Sequence, residues 1–311
     1  MSEPLSEDTL HRRFGEAGRS LPPEVTLPPG DDLAVVGHDD PILIGSDQVV
    51  LGRHVHPDES PYAIGRKAIL RNLSDVAAMA ARPVATVAAA TLGPGHSMEW
   101  ATELHRGLHE TALAWKAPLV GGDLATHAVE DGPTVITVSI VARPATASGR
   151  VVTRTGGRPG DLLAVTGTLG GSLESGGGGR HLDFTPRVHE AIALTDAMNE
   201  NLVAMMDLSD GVARDAGRLA SAGTVVARID IDSVPATSGC DWRAALTDGE
   251  DYELLLACRT PPPPEVMSTP ITVIGRLEAP SPGLPAGSVV VGEGETSERI
   301  DHLGWEHRQE G

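Results

Sequence analysis

Lysine is nearly missing from this chain: Lys67 and Lys116 are the only two among 311 residues. Neither follows a glycine-rich stretch with a Gly-Lys-Ser/Thr ending, so no P-loop is available to cradle a triphosphate. Basic charge is scarce altogether, with 24 Lys and Arg against 43 Asp and Glu and a net charge of −19. That balance argues against nucleic acid or an anionic membrane as partner, since both need a face rich in Lys and Arg. Cysteine is limited to Cys240 and Cys258, far apart and in no Cys-x-x-Cys pattern, which suggests neither zinc site nor redox pair and predicts two buried free thiols. No run of about 18 uncharged apolar residues exists for a membrane helix. The acidic start, Met1-Ser2-Glu3-Pro4-Leu5-Ser6-Glu7-Asp8, has no apolar run behind it and does not read as a signal peptide. A cytoplasmic protein is expected.

What is present is enough for a core. Hydrophobic residues make up 40% of the chain, and its length suits two ordinary domains better than one. The first half alternates strand-like and helix-like segments. Ile42-Leu43-Ile44 predicts a strand emptying into Ser46-Asp47, and Ser60-Pro61 reads as N-cap and first residue of a helix to about Ala81, stopped by Pro83. Ser97 caps a second helix whose stripe Trp100, Leu104, Leu108, Ala112 and Trp115 is core. Pro118-Leu119-Val120 predicts a strand stub before Gly121-Gly122-Asp123, and Val135 to Ala142 alternates like a strand with one covered face.

Between Arg143 and Arg158 the composition turns to Pro, Gly, Ser and Thr, which places a domain boundary there, with domains at 1–145 and 146–311. Further on, strands are predicted at Leu162 to Thr166, at Ala204-Met205-Met206 running into Asp207, and at Val225 to Ile231, Leu254 to Ala257 and Ile271 to Ile274. Helices are predicted at Pro186 to Leu194 and from Val212 through Ala220, and Gly176 to Gly179 reads as a flexible linker.

Five aspartate-bearing stretches carry the chemistry: Gly30-Asp31-Asp32, Ser46-Asp47, Asn72-Leu73-Ser74-Asp75, Gly121-Gly122-Asp123 and Asp207-Leu208-Ser209-Asp210-Gly211. Carboxylates flanked by Gly, Ser and Asn are hard oxygen ligands of the kind Mg²⁺ prefers, and Mg²⁺ commonly arrives with phosphate oxygens. Several of them follow apolar strand runs, which deliver residues to a shared crevice. A calcium loop starting at Asp207 fails, because its sixth position is Val212 and its twelfth Arg218. His54, His56, His105 and His109 lack a third metal ligand, and the last two read as a solvated helix face.

Taken together and in order, these motifs resemble the thiamine-monophosphate kinase family, of the superfamily that includes aminoimidazole-ribonucleotide synthetase. The resemblance runs from Gly30 to Gly304-Trp305-Glu306-His307. Asn72 to Met79, Gly121-Gly122-Asp123, Arg154 with Pro159-Gly160-Asp161, Asp207 to Gly211, and Gly249-Glu250-Asp251-Tyr252-Glu253-Leu254 carry it. It implies an α+β fold of two α/β-sandwich-like domains, the N-terminal ones pairing into a barrel across a homodimer. The implied reaction moves the γ-phosphoryl group of ATP to thiamine monophosphate, giving thiamine diphosphate.

By the same resemblance, Asp32, Ser46, Asp47, Asp75, Asp123, Asp207 and Asp210 are Mg²⁺ ligands of several ions. Gly122, Arg154 and Ser209 contact ATP, and His54, Glu250 and Trp305 contact the acceptor. An acceptor phosphate is already ionised, so no general base is assigned. The chain departs from the family where an aromatic usually follows His54 and Val55 stands, where a hydroxyl residue often replaces Gly45, and in a short, glycine-rich stretch between Gly171 and Arg187. The alternatives are another small-molecule phosphotransferase or ATP-dependent ligase of the superfamily, or a non-catalytic nucleotide- or cation-binding protein. The first is disfavoured by the matches at Glu250 and Trp305, and only Val55 and Gly45 favour the second.

Overall fold

A computed structural model describes residues 21–28, 30–292 and 297–305. The opening segment Met1 to Asp8 and the tail residues Glu306 and His307 lie outside the described residues.

The first half builds a six-stranded sheet from β1 (Val25–Leu27), β2 (Ala34–Val36), β3 (Ile42–Val50), β4 (Ala81–Leu92), β5 (Leu119–Thr126) and β6 (Val135–Pro144). Its order is β1-β2-β3-β6-β4-β5, antiparallel except for the parallel pair β4 and β5. The alternation read in Val135 to Ala142 is borne out: Ile136, Val138, Ile140 and Ala142 are fully buried. Helices α1 (Pro61–Ala78) and α2 (Met98–Ala114) accompany this sheet. Each starts as its sequence dictates, with Ser60 and Ser97 accepting hydrogen bonds from Ala63 and Trp100 amides, which satisfies an otherwise orphaned donor.

The second half forms an eight-stranded sheet from β7 (Leu162–Thr166), β8 (Leu202–Asp207), β9 (Val226–Ile229), β10 (Leu254–Cys258), β11 (Glu265–Val266), β12 (Thr269–Glu278), β13 (Val289–Val291) and β14 (Glu298–Arg299). The main path is β14-β13-β9-β12-β7-β10-β8, with β11 paired to β12. Helices α3 (Val188–Met198), α4 (Val212–Gly223) and the short α5 (Trp242–Thr247) complete it. The architecture is α+β with two sheets, and among the described residues neither sheet closes on itself.

Each sheet has its own apolar core, and a third core seals the junction, where Ala77 and Ala80 of the first half meet Val188, Leu194, Met205 and Leu254 of the second. The same helix, α1, therefore packs on both halves. Cys258 is buried and Cys240 half-buried, both as free thiols. Among the described residues no helix is long and apolar enough to cross a membrane.

Three local readings need correction. Pro83 does not stop α1; the chain turns at Ala80 with φ of 51°, and Pro83 sits inside β4 at a register shift between Pro83 and Ala85, where a missing amide donor is tolerated. Ser46-Asp47 and Gly121-Gly122-Asp123 lie within β3 and β5 instead of beyond their ends. Two adjacent glycines fit in a strand here because β5 runs tight against β4: a Cβ on Gly122 would meet the Ala88 carbonyl oxygen at 1.9 Å.

Candidate active site

Three carboxylates from separate parts of the chain converge. Asp32 precedes β2, Asp75 lies in the last turn of α1, and Asp207 ends β8. One oxygen of each lies within 4.8 Å of the others. The α1 helix supports Asp207 directly, since the buried Ser74 hydroxyl donates to its Oδ2 at 2.7 Å. The Arg154 guanidinium forks onto Asp32, with Nη2 at 2.7 Å and Nε at 3.2 Å, while the Arg154 amide donates to Asp31 at 3.0 Å.

Burial first, and then the neighbouring carboxylates, push the acids Asp75 and Asp207 well above the ordinary range. Asp31 is pushed up to about 6, by burial and then by Asp32. Around this centre the acids are neutralised in pairs, Asp32 by Arg154, Asp47 by Arg71 and Asp210 by Arg218. Among the described residues Asp75 and Asp207 have no such ion pair. Converging carboxylate oxygens, two of the three without an ion pair, are a donor set that fits Mg²⁺.

The loop after β8 is held from beneath. Asp215, in the first turn of α4, accepts from the amides of Ser209 at 3.1 Å and Asp210 at 3.0 Å. Arg218, one turn further on, bridges Asp215 at 2.8 Å and Asp210 at 2.6 Å. Burial pushes Asp215 up to about 7, against the pull of Arg218. Sequence reasoning missed this pair, although an acid in the first turn of a helix opening after Gly211 is a legible sign of an N-terminal brace. The loop is also stitched to Gly249–Glu253: the Glu250 amide donates to the Ser209 carbonyl at 2.7 Å, and the Tyr252 amide to the Leu208 carbonyl at 2.8 Å.

His54, Glu250 and Trp305 form a second assembly. The His54 and Trp305 rings lie 5.7 Å apart, tilted by 49°, and the Arg53 guanidinium stands 4.6 Å from the indole centroid. The Trp305 amide donates to the Asp210 carbonyl at 3.0 Å. Gly304 permits that docking, with φ of 95° and room for no Cβ, which would lie 2.7 Å from the same carbonyl oxygen. Beneath lies Lys67, fully buried, in contact with Glu250 at 2.5 Å, the His54 carbonyl at 2.7 Å and His181 Nδ1 at 2.7 Å. Burial pushes Lys67 down to about 8 although Glu250 opposes it. Burial alone would raise Glu250; contacts with His181 and Lys67 outweigh it and hold the carboxyl down to about 2. The proton therefore rests on the lysine at neutral pH.

Other candidate residues stand apart from the triangle. Asp123 is exposed on β5, and Asp210 faces Arg218. Asp47 pairs with Arg71 on the flank, near enough that its charge helps raise Asp75. Ser46 is exposed, donating to the Val138 carbonyl at 3.1 Å and accepting from Ser139. His105 and His109 are exposed on α2, as read from the sequence. The two departures fall at tightly packed positions. A Cβ on Gly45 would meet Leu33 Cδ2 at 2.3 Å. Val55 is buried in the core cluster that also holds Phe184 and Tyr252, whose rings stack at 3.9 Å.

A two-sheet α+β fold with three aspartates converging at the junction is the fold of AIR-synthase-related proteins. Residues 30–143 match the family model for AIR synthase related protein, N-terminal domain. The chain is 33% identical over 280 residues to a thiamine-monophosphate kinase of Rhodopirellula baltica, covering 82% of this chain and 84% of that protein. It is 31% identical over 316 residues to the Escherichia coli K12 thiamine-monophosphate kinase, covering 89% and 92%. The fold matches that of AaThiL complexed with AMPPCP and TMP with a TM-score of 0.79, at 26% identity over 99% of each chain. The chain belongs to the thiamine-monophosphate kinase family.

Proposed function

We propose that this protein transfers the γ-phosphoryl group of ATP to the phosphate of thiamine monophosphate, forming thiamine diphosphate and ADP. The observation that carries the reading is the triangle of Asp32, Asp75 and Asp207 within 4.8 Å, in a chain of this family. Asp32, Asp75 and Asp207 hold Mg²⁺, with Ser46, Asp47, Asp123 and Asp210 available to further ions. Bound Mg²⁺ supplies charge neutralisation for the phosphates, which an acid cleft would otherwise repel.

The chain's own residues position the reactants. Arg154, gripped by Asp31 and Asp32, holds a guanidinium at the edge of the triangle for the nucleotide phosphates. Ser209 is fixed by Asp215, and Gly122 allows the close approach of β5 to β4; both serve the ATP side. His54, Glu250 and Trp305 form the acceptor side, with the indole as an apolar wall for the aromatic rings of thiamine. No side chain needs to take a proton from an acceptor phosphate already ionised, so the work is alignment and charge stabilisation.

The same reading places the domain division at 145/146, just after β6, and the protein in the cytoplasm as a homodimer. Support for a dimer comes from apolar side chains left exposed on the first sheet, Ile44, Val87, Val120 and Leu124, which a second sheet would cover to complete a barrel. Incubation with Mg-ATP and thiamine monophosphate tests the reaction: thiamine diphosphate and ADP are expected in equal amounts. ATP turnover only with another acceptor, or ATP binding without turnover, overturns it.

A further inference from the structure

Among the described residues the largest fully buried side chain is that of a lysine, Lys67. An ammonium taken out of water costs several kcal/mol unless it is paired and hydrogen-bonded, and Lys67 Nζ has three polar partners: two acceptors, the His54 carbonyl and Glu250, and His181 Nδ1, which also lies 2.9 Å from Glu250. They come from three separate segments: the His54 carbonyl from the loop after β3, His181 Nδ1 from the glycine-rich stretch, and Glu250 from the loop before β10. The ammonium is fully buried among them, out of reach of a phosphate in the cleft.

The glycine-rich stretch is accordingly a packed element and not a linker. His181 is fully buried, its Nε2 lies 3.0 Å from the Gly177 carbonyl, and its amide donates to the Ser172 carbonyl. Gly177 has φ of 91°, and a Cβ there would meet His56 Cβ at 2.5 Å. This loop thus lies against the His54–His56 turn, with Lys67 beneath both.

The position of Lys67 on α1 adds a second fact. Lys67, Arg71, Ser74 and Asp75 recur at i, i+4, i+7 and i+8, along one face of the helix. At the far end Ser74 and Asp75 meet Asp207; at the near end Lys67 meets Glu250. Eight residues of helix span about 12 Å. One rigid face therefore joins the acid triangle to the His54, Glu250 and Trp305 assembly.

We infer that Lys67 is a positioning residue for the acceptor: it ties the His54 turn, the His181 loop and Glu250 into one unit and sets that unit's distance from the phosphate-binding acids, without touching phosphate itself. The inference rests on the functional reading above for the identity of the acceptor.

The test compares wild-type protein with Lys67→Met and His181→Asn in steady-state kinetics and amide exchange. Lys67→Met raises KM for thiamine monophosphate at least tenfold while KM for ATP stays within twofold. His181→Asn gives the same split at severalfold, and serves alone if Lys67→Met fails to fold. A folded variant whose acceptor KM is unchanged, or whose two KM values rise together, overturns the inference. If wild-type protein makes no thiamine diphosphate, the functional reading fails by itself. Exchange then judges Lys67: faster exchange over residues 50–56 and 177–182 in the variant upholds the tie, and unchanged exchange there removes it.

Discussion

Ser74 donates its hydroxyl proton to Asp207 across 2.7 Å, from a helix of the first half to the last residue of a strand of the second. Both residues are buried, and the bond ends on a carboxylate that burial and Asp32 already push toward its neutral form. A hydrogen bond to a carboxyl held near its neutral form contributes about 0.5–1.5 kcal/mol. Ser74→Ala is expected to lower the unfolding free energy by that amount in denaturant titration, and to cut kcat/KM about tenfold by letting Asp207 drift. A stable variant with unaltered turnover would show that the bond is incidental.

Asp75→Asn should do the opposite to stability. The folded state disfavours the ionised carboxyl of Asp75, through burial and then Asp47, Asp207 and Asp32, so removing that charge relieves the metal-free protein at neutral pH. The melting temperature in chelator is expected to rise while phosphoryl transfer falls by about a hundredfold or more, on the scale of losing one preorganised charge-stabilising group. The relief belongs to Asp75 and Asp207; Asp210→Asn, by contrast, forfeits the Arg218 ion pair and should gain nothing. Parallel scans of the three variants decide this.

The pH dependence at Glu250 has a definite sign. Its folded carboxyl sits at about 2 against an ordinary 4.5, burial being outweighed by His181 and Lys67. Between those values the unfolded chain binds the extra proton, so the contribution is complete above 4.5 and is lost as pH falls toward 2. At about 1.4 kcal/mol per unit the ceiling is about 3 kcal/mol. The stability gap between wild type and Glu250→Gln is expected to close over that window; a gap independent of pH would mean the carboxylate is not held by its charge.

Metal and nucleotide should stabilise only together. Triphosphate cannot approach the converging Asp32, Asp75 and Asp207 unless its charge is offset, so Mg-ATP at a hundred times its Kd should add about 2.7 kcal/mol, whereas ATP with chelator adds little. Equal thermal shifts in the two conditions would move the nucleotide away from the triangle.

Most elements were legible because local signals agreed with the fold. Ser60 and Ser97 begin their helices, and the apolar runs at Leu162 and Leu254 are strands buried but for Leu162 itself, which is half-buried. The motifs also named the three acids of the triangle. What the sequence hid is long-range pairing: Arg154 on Asp32, Ser74 on Asp207 and Lys67 on Glu250 join residues 122, 133 and 183 positions apart, and no periodicity encodes such meetings. The glycine run misled for a related reason, since glycines permit both a loose linker and a close approach, and only the His56 side chain beside Gly177 distinguishes them.

Trp305 offers the cleanest test of the acceptor wall. Its ring faces His54 at 5.7 Å under the Arg53 guanidinium, yet the tail is fixed to the Asp210 carbonyl through the backbone amide. Substitution by alanine keeps that amide, so the loop carrying Asp210 stays anchored while the aromatic surface disappears. An aromatic contact contributes about 0.5–1.5 kcal/mol beyond area burial, and it is made before and during the reaction alike. Trp305→Ala should therefore raise the acceptor KM about tenfold with kcat and the ATP KM nearly unchanged, the signature of lost uniform binding. If the variant instead melts earlier and weakens for both substrates together, the indole is a structural anchor, and the acceptor rings must rest on His54 and Glu250 alone.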